Sequence, residues 1–237
     1  MSALDPIDLL FGGMDQLGPG GDAHTLDALR RLPVQKFGVI VDAGCGTGRQ
    51  TLSLARALGT VVHAVDAHAP FLADLTRRAE AAGIGHLVRA HHMDMKDIPA
   101  VFPAIDLLWS EGAAYSIGFG NALTVWAAAI RGGGFAVVSE LSWLSDRPSD
   151  DARTFFASAY PGMRTIDANR AIADAAGYAV LATETLPRAA WVTGYYAVLA
   201  PRARALAGHP DASVRAMAEE TLREIQVFRA PDAGGAL

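Results

Sequence analysis

The sequence predicts an α/β fold, a mostly parallel sheet with helices on both faces. Three observations carry the prediction. An apolar run, Val39-Ile40-Val41, ends in Asp42 and passes into Ala43-Gly44-Cys45-Gly46-Thr47-Gly48, and a helical pattern starts at once at Arg49. That is a buried strand, a tight turn and a helix. A second apolar run, Val61 to Val65, ends in another acid, Asp66. Strand and helix patterns then alternate to about residue 140, which calls for parallel strands joined by right-handed crossovers.

The elements follow in order. Residues 1–36 read as a mostly helical extension with a turn at Gly18-Pro19-Gly20-Gly21 and a helix from Thr25 to Leu32 that Pro33 ends. The second domain, 37–237, holds the sheet. After the strand ending at Asp66, a helix is expected from about Pro70 to Ala82, then strands at 86–92 and Ile105–Trp109. A helix from about Asn121 to Ile130 runs to Gly132-Gly133-Gly134, and a fifth strand covers Phe135 to Glu140. A cap of about 142–165 has a helix near 150–159. A helix at 167–176, a sixth strand at 179–186 and two alanine-rich helices, about 196–207 and 211–228, complete the chain; the ending from Pro231 reads as frayed.

Glycine spacing separates the candidate ligands. The turn reads G-x-G-x-G at Gly44, Gly46 and Gly48, whereas a dinucleotide fingerprint would need glycine where Arg49 stands. A phosphate-binding P-loop would end in Gly-Lys-Ser/Thr, which is absent. Glycines suit positions with φ > 0 and a backbone that a ligand approaches closely. Asp66 lies 18 residues beyond Gly48, near the spacing of about 20 at which such sheets place a ribose-binding carboxylate.

With this strand, turn, helix and acid, the segment Val41-Asp42-Ala43-Gly44-Cys45-Gly46-Thr47-Gly48 resembles the first motif of class I S-adenosylmethionine (SAM) dependent methyltransferases. The resemblance extends over about residues 15–200. A subgroup of small-molecule methyltransferases carries a Trp-Ser-Glu-Gly-Ala segment, matched by Trp109 to Ala113, and then Gly-Phe, matched by Gly118-Phe119. It also carries Ser-Glu-x-x-Trp, matched by Ser139 to Trp143, an early Gly-Pro-Gly, matched by Gly18 to Gly20, and Leu-Pro…Trp…Tyr-Tyr, matched by Leu186-Pro187, Trp191 and Tyr195-Tyr196. Two departures stand out: Gly132 replaces a usual proline, and no aromatic-rich last strand follows Phe228.

The resemblance implies a Rossmann-like methyltransferase sheet, SAM as cofactor and S-adenosylhomocysteine as its product. It implies cofactor contacts at Asp42, Gly44, Gly46, Gly48, Asp66, Asp94, Gly20 and Ser110, with Asp94 receiving the adenine amino group and the Gly18–Gly21 turn closing over the methionine end. Plainer readings are a solvated acid for Asp94 and an ordinary turn at Gly20. Glu111 and Tyr115 are the acceptor-side catalytic candidates, Glu111 as a base or as an anchor for the acceptor's amine or hydroxyl, or else as a buried acid bonding backbone amides. Tyr115, Trp143, Trp191, Tyr195 and Tyr196 are expected to form an aromatic wall, suited to a flat or cationic acceptor, with Trp109 also in the substrate pocket, although each alone is more often core. Glu140 reads as structural, and His91 and His92 as core or rim. No further residues stand at metal-ligand spacing.

Composition narrows the classes. The chain has 237 residues, a net charge of −5 and no dense Lys/Arg cluster, which argues against nucleic acid and for a small-molecule acceptor. Asp106-Leu107-Leu108-Trp109 does not match the Asp/Asn-Pro-Pro-aromatic motif of nucleic-acid amino-methylating enzymes. No apolar run reaches the roughly 18 residues of a membrane span. The N-terminus shows no secretory pattern, and the single Cys45 cannot form an internal disulfide, so a reducing cytoplasm is expected. The apolar C-terminal helices suit a homodimer. Two further readings compete: a SAM-binding protein without catalysis, and a nicotinamide oxidoreductase.

Overall fold

The computed structural model describes residues 5–229. Strand β1 (Ile40–Ala43) is central, between β2 (Val62–Asp66) and β4 (Ile105–Ser110). Strand β3 (Val88–His92) flanks β2, and β5 (Ile130–Val138) flanks β4, giving the order β3-β2-β1-β4-β5 with every pair parallel. After β3 the chain crosses back over β2 and β1 to lay β4 on the far side. The C-terminal ends of β1 and β4 therefore flank a topological switch point, where ligands of such sheets bind.

The central strands have no solvent face. All four residues of β1 are buried, and five of the six in β4. Alternate side chains feed two cores: Ile40, Leu107 and Trp109 on one face, Val41, Ala43 and Leu108 on the other. The first core is closed by α2 (Asp22–Arg30), α3 (Arg49–Leu58) and α4 (Ala69–Ala81), through Leu29, Leu54 and Leu75. The second is closed by α5 (Ile98–Val101) and α6 (Phe119–Ala127), through Ile98, Ala122 and Trp126. Continuous apolar strands covered on both faces are what a parallel sheet requires.

A third core lies outside the sheet. Helix α1 (Pro6–Phe11) packs on α9 (Ala197–Leu206) and α10 (Ala212–Arg229) through Leu10, Leu199, Ala203 and Phe228. A π-helical stretch, Ala190–Tyr196, leads into α9. Pro201 within α9 has no N–H to give the carbonyl of Ala197, the residue that follows that π stretch. The cap contains β6 (Ser142–Trp143), α7 (Asp150–Ala159) and β7 (Arg164–Thr165), and β6 pairs with β7 in parallel. Helix α8 (Ile166–Ala175) follows.

Three expectations need correction. The segment 179–186 pairs with no strand among the described residues; Leu181 is 66% exposed. No strand edge takes it up, and it is tethered instead by Arg31 to Glu184 at 3.0 Å and Arg170 to Thr183 at 3.0 Å. Second, β5 starts at Ile130 and takes in the three glycines. Ile105 pairs with Ile130 but Leu107 with Phe135, so the glycines form a bulge. A Cβ on Gly134 would lie 2.8 Å from the Ile105 carbonyl oxygen, which is why that position is glycine. Third, helix α2 begins at Asp22, which places Thr25 inside it rather than at its cap. The frayed ending and any strand beyond residue 229 lie outside the described residues.

Candidate functional site

The site is built around the turn that leaves β1. Gly44 and Cys45 donate their N–H groups to the Val65 carbonyl at 2.8 and 3.0 Å, folding the turn against the end of β2. Gly44, Gly46 and Gly48 all have positive φ, at 72°, 54° and 86°. A Cβ on Gly44 would sit 2.2 Å from Ala113 Cβ, on Gly46 2.7 Å from Leu17 Cδ1, and on Gly48 2.1 Å from Leu75 Cδ1. The close approach is thus made by the protein's own side chains, from the loop after β4, the N-terminal segment and α4.

Asp66 ends β2 beside this turn. One carboxylate oxygen accepts the Gly46 N–H at 2.8 Å, and the other accepts the His68 N–H at 2.8 Å. A carboxylate offers about four acceptor positions, so roughly two stay open, the number a ribose diol fills. His68 in turn bonds Asp8 at 2.7 Å and lies 3.9 Å from Asp5, which holds α1 against this corner. The N-terminal segment continues over the glycines: Thr47 Oγ1 donates to the Asp15 carbonyl at 3.3 Å, and Arg78 donates to the same carbonyl at 2.9 Å.

Asp94 follows β3, but Lys96 holds both its oxygens, through its backbone N–H and its ammonium, each at 2.9 Å. These contacts depress its carboxyl, and the Lys96 backbone N–H contributes most. Its neighbour Met95 has Cε 3.1 Å from where a Gly44 Cβ would be, which places this loop against the glycine turn.

Two candidates turn inward. Asp42 is fully buried and accepts from the Thr51 hydroxyl and, at 3.3 Å, from Gln50 Nε2. It ties α3 to β1 and offers a ligand no surface; burial pushes its carboxyl up to about 7. Ser110 is equally buried, and its hydroxyl donates to the Ala43 carbonyl at 2.9 Å, joining β4 to β1. Both are structural supports of the turn rather than side-chain contacts to a cofactor. Burial also pushes the Cys45 thiol up, in keeping with a packing role.

Glu111, expected on the acceptor side, is occupied by donors of the chain itself. It accepts from Arg49, from Thr25 Oγ1 at 2.6 Å and from Trp109 Nε1 at 2.8 Å. The donors are side chains, where backbone amides had been the alternative. Arg49 also donates to Thr25 at 3.0 Å and to Asp22 at 3.3 Å, so one network joins α2, α3 and the end of β4. Gly20 lies over it, its missing Cβ 3.8 Å from both Arg49 Nη2 and Glu111 Oε2.

The expected aromatic wall is dispersed among three cores. Trp109 is fully buried in the sheet. Trp191 stacks on Phe228, ring centroids 4.9 Å apart, and Tyr196 is 1% exposed beside them. Trp143 packs edge-on against Phe156 in the cap. Tyr195 is buried next to Tyr196. Tyr115 alone keeps an open face, at 54% exposure, and meets Tyr160 edge-on at 5.9 Å. Its phenol is nevertheless pushed up by desolvation, with added effect from Glu224 and Glu140.

Three residues of that region are not among the site candidates read from the sequence. Glu140, two positions past β5, accepts from the Tyr160 hydroxyl through Oε1, while its buried Oε2 has no partner among the described residues. Burial raises its carboxyl to about 7. Glu224 on α10 accepts from the Tyr196 hydroxyl at 2.6 Å and is also raised, mainly by burial. Glu140 had the signal of a strand-end acid. Tyr160 and Glu224 had none, since the folding of the cap and α10 toward β4 is invisible in local pattern.

Comparison with known proteins agrees with this geometry. Residues 40–134 match the family model described as methyltransferase domain. A malonyl-[acyl-carrier protein] O-methyltransferase from Enterobacter lignolyticus is 41% identical over 88 residues, 37% of this chain and 32% of that protein, so the match spans about a third of the relative's length. A SAM-dependent methyltransferase from Geobacter sulfurreducens, solved with S-adenosyl-L-homocysteine, superposes with a TM-score of 0.79 at 19% identity, covering 99% of this chain and 95% of the other. The [4+2]-cyclase SpnF superposes with a TM-score of 0.74 at 18% identity, covering 93% and 86%. The chain has the Rossmann-like class I methyltransferase fold, and the stretch from β1 to the glycine bulge of β5 is the part that matches the methyltransferase-domain model.

Proposed function

We propose that the protein is a SAM-dependent methyltransferase acting on O, N or S of a small molecule. The observation that carries this reading is the Asp66 carboxylate, seated on the Gly46 N–H at 2.8 Å with acceptor positions to spare, at the switch point of the sheet. The relatives support it, since one is an O-methyltransferase and another was solved with the product cofactor. In this reading Asp66 holds the ribose and the Asp94–Met95 loop flanks the adenine. The 44–48 turn and the Gly18–Gly21 turn enclose the methionine end. When bound, SAM supplies an electrophilic methyl group on a sulfonium. The chain's part is then to align the acceptor with that methyl and to exclude water. In this reading Leu17, Tyr115 and the cap take that part.

A second reading keeps the cofactor but not the reaction, because a neighbour of the same fold bears the name of a cyclase. Two measurements separate the readings. Calorimetry should give micromolar binding of S-adenosylhomocysteine and none of NAD, and labelled SAM should pass its methyl to a member of a small-metabolite library. No binding of S-adenosylhomocysteine defeats both readings. Binding without label transfer favours the second.

A further inference from the structure

Residues 15–17 lie over the glycine turn that leaves β1. The Asp15 carbonyl accepts from Thr47 Oγ1 at 3.3 Å, and Leu17 Cδ1 lies 2.7 Å from where a Gly46 Cβ would be. Gln16 stands between these two contacts. Its side-chain Nε2 is buried and has no hydrogen-bond partner among the described residues. This nitrogen lies 3.5 Å from where a Cβ on Gly194 would stand, and the Gly20 carbonyl oxygen lies 3.5 Å from the same point. Gly194, in the π-helical stretch, puts no side chain there. Gly20 in turn adjoins Arg49 and Glu111, and Ala113 just beyond packs on Gly44. Gln16 is thus enclosed between the 44–48 turn and the Gly18–Gly21 turn.

A buried donor left without an acceptor is costly, and the cost is relieved when an acceptor arrives. Neighbouring donors are spent on the chain itself. The N–H groups of Gly44 and Cys45 go to the Val65 carbonyl, that of Gly46 to Asp66, and that of Gly48 to the Cys45 carbonyl. Arg49 gives its N–H groups to Glu111, Thr25 and Asp22. The ion pair with Arg49 also balances the charge of Glu111, so the corner does not repel an anion with a bare carboxylate.

We propose that Gln16 donates through Nε2 to the carboxylate of the cofactor's methionine end. This rests on the methyltransferase reading, in which the two glycine turns enclose that end. Of the two polar groups on a methionine end, the ammonium is a donor and only the carboxylate can accept from an amide N–H. A bond to an ionised acceptor is also stronger than one between two neutral groups.

Calorimetry with two ligands tests this. One is S-adenosylhomocysteine, and the other is S-adenosyl-3-thiopropylamine, the same molecule without its carboxylate. Gln16→Met keeps the length and bulk of the side chain and removes the donor. It should bind S-adenosylhomocysteine about tenfold more weakly than wild type and the decarboxylated ligand equally well. Gln16→Glu sets a carboxylate against a carboxylate, so its loss should be larger and again confined to S-adenosylhomocysteine. The urea midpoint of Gln16→Met should not fall, since Nε2 has no partner in the chain to lose. Equal losses for both ligands, with a lowered midpoint, would mark a packing role and overturn the proposal. So would unchanged affinity for S-adenosylhomocysteine in both variants, and either result leaves the cofactor reading intact. A wild type that binds neither ligand defeats the cofactor reading and this proposal with it. If Gln16→Met does not fold, Gln16→Glu carries the same comparison.

Discussion

Replacing Glu111 by glutamine removes one charge and almost no volume, and the two roles open to this residue then part company. Its carboxylate is 17% exposed and its partner Arg49 10%. The substituted amide would keep an acceptor for Thr25 and Trp109 but leave the Arg49 guanidinium without its main counter-charge. Breaking a buried pair from one side costs about 3–5 kcal/mol. Asp22 remains at 3.3 Å, though 61% exposed, so the lower end, about 3 kcal/mol, is expected. For a chain of this length each kcal/mol moves Tm by about 2–4 °C, so the variant should melt roughly 6–12 °C lower. Arg49→Met should cost a similar amount by stranding Glu111. The double variant should be milder than the sum of the singles by about 2 kcal/mol, because the charges are then removed together. Urea and thermal unfolding of the four proteins give the cycle. If Glu111→Gln melts with the wild type and only turnover is lost, Glu111 is a base after all and its assignment to the chain's own network is wrong.

Asp66→Ala removes the proposed ribose acceptor. At about 1.5–3 kcal/mol for each of two bonds to a charged group, S-adenosylhomocysteine affinity should fall at least 100-fold by calorimetry, and unchanged affinity would remove the assignment. Gly44→Ala should unfold at clearly lower urea than wild type, since its Cβ lands 2.2 Å from Ala113 Cβ at φ 72°. Adding Ala113→Gly should recover only the steric part, leaving about 1–2 kcal/mol of left-handed strain. The pH prediction concerns Asp42, whose carboxyl rises from 3.8 unfolded to about 7 folded. The folded state then binds the proton more tightly, so this group's contribution to stability is present below about pH 4 and is lost as pH rises toward 7. Asp42→Asn should remove that slope, worth at most about 1.4 kcal/mol per pH unit, and parallel stability–pH curves for the two proteins would contradict the assignment.

The fold was legible because each cue was local. Asp42 and Asp66 close their strands, and the intervening glycines admit only a turn. Where a cue depended on a distant neighbour, the reading missed. The segment 179–186 has strand-like composition, but whether it forms a strand depends on which edge accepts it, and β5 does not pair with it. The glycine run at 132–134 reads as a helix stop, yet it is a bulge whose need for glycine comes from the Ile105 carbonyl across the sheet. Glu111 was recognised as a strand-end acid, and its role was hidden because Thr25 and Arg49 lie 86 and 62 residues away.

The same distinction explains why polar and aromatic signals changed places at the acceptor side. An aromatic residue near a strand end carries no mark of which core will take it. Trp109, at the end of the most buried strand, had its indole absorbed by the sheet and its N–H spent on Glu111. Trp191 and Tyr196 were taken up by Phe228, on which both rings pack. An acid has less choice, since burial without a partner is costly enough to need a reason. Asp42 and Glu111 find theirs in hydroxyls, an amide, an indole and a guanidinium supplied by the chain, and they hold the scaffold together. Glu140 and Glu224 find only phenols. An acid with both oxygens partnered belongs to the architecture, and Glu140, whose Oε2 has no partner among the described residues, departs from that pattern.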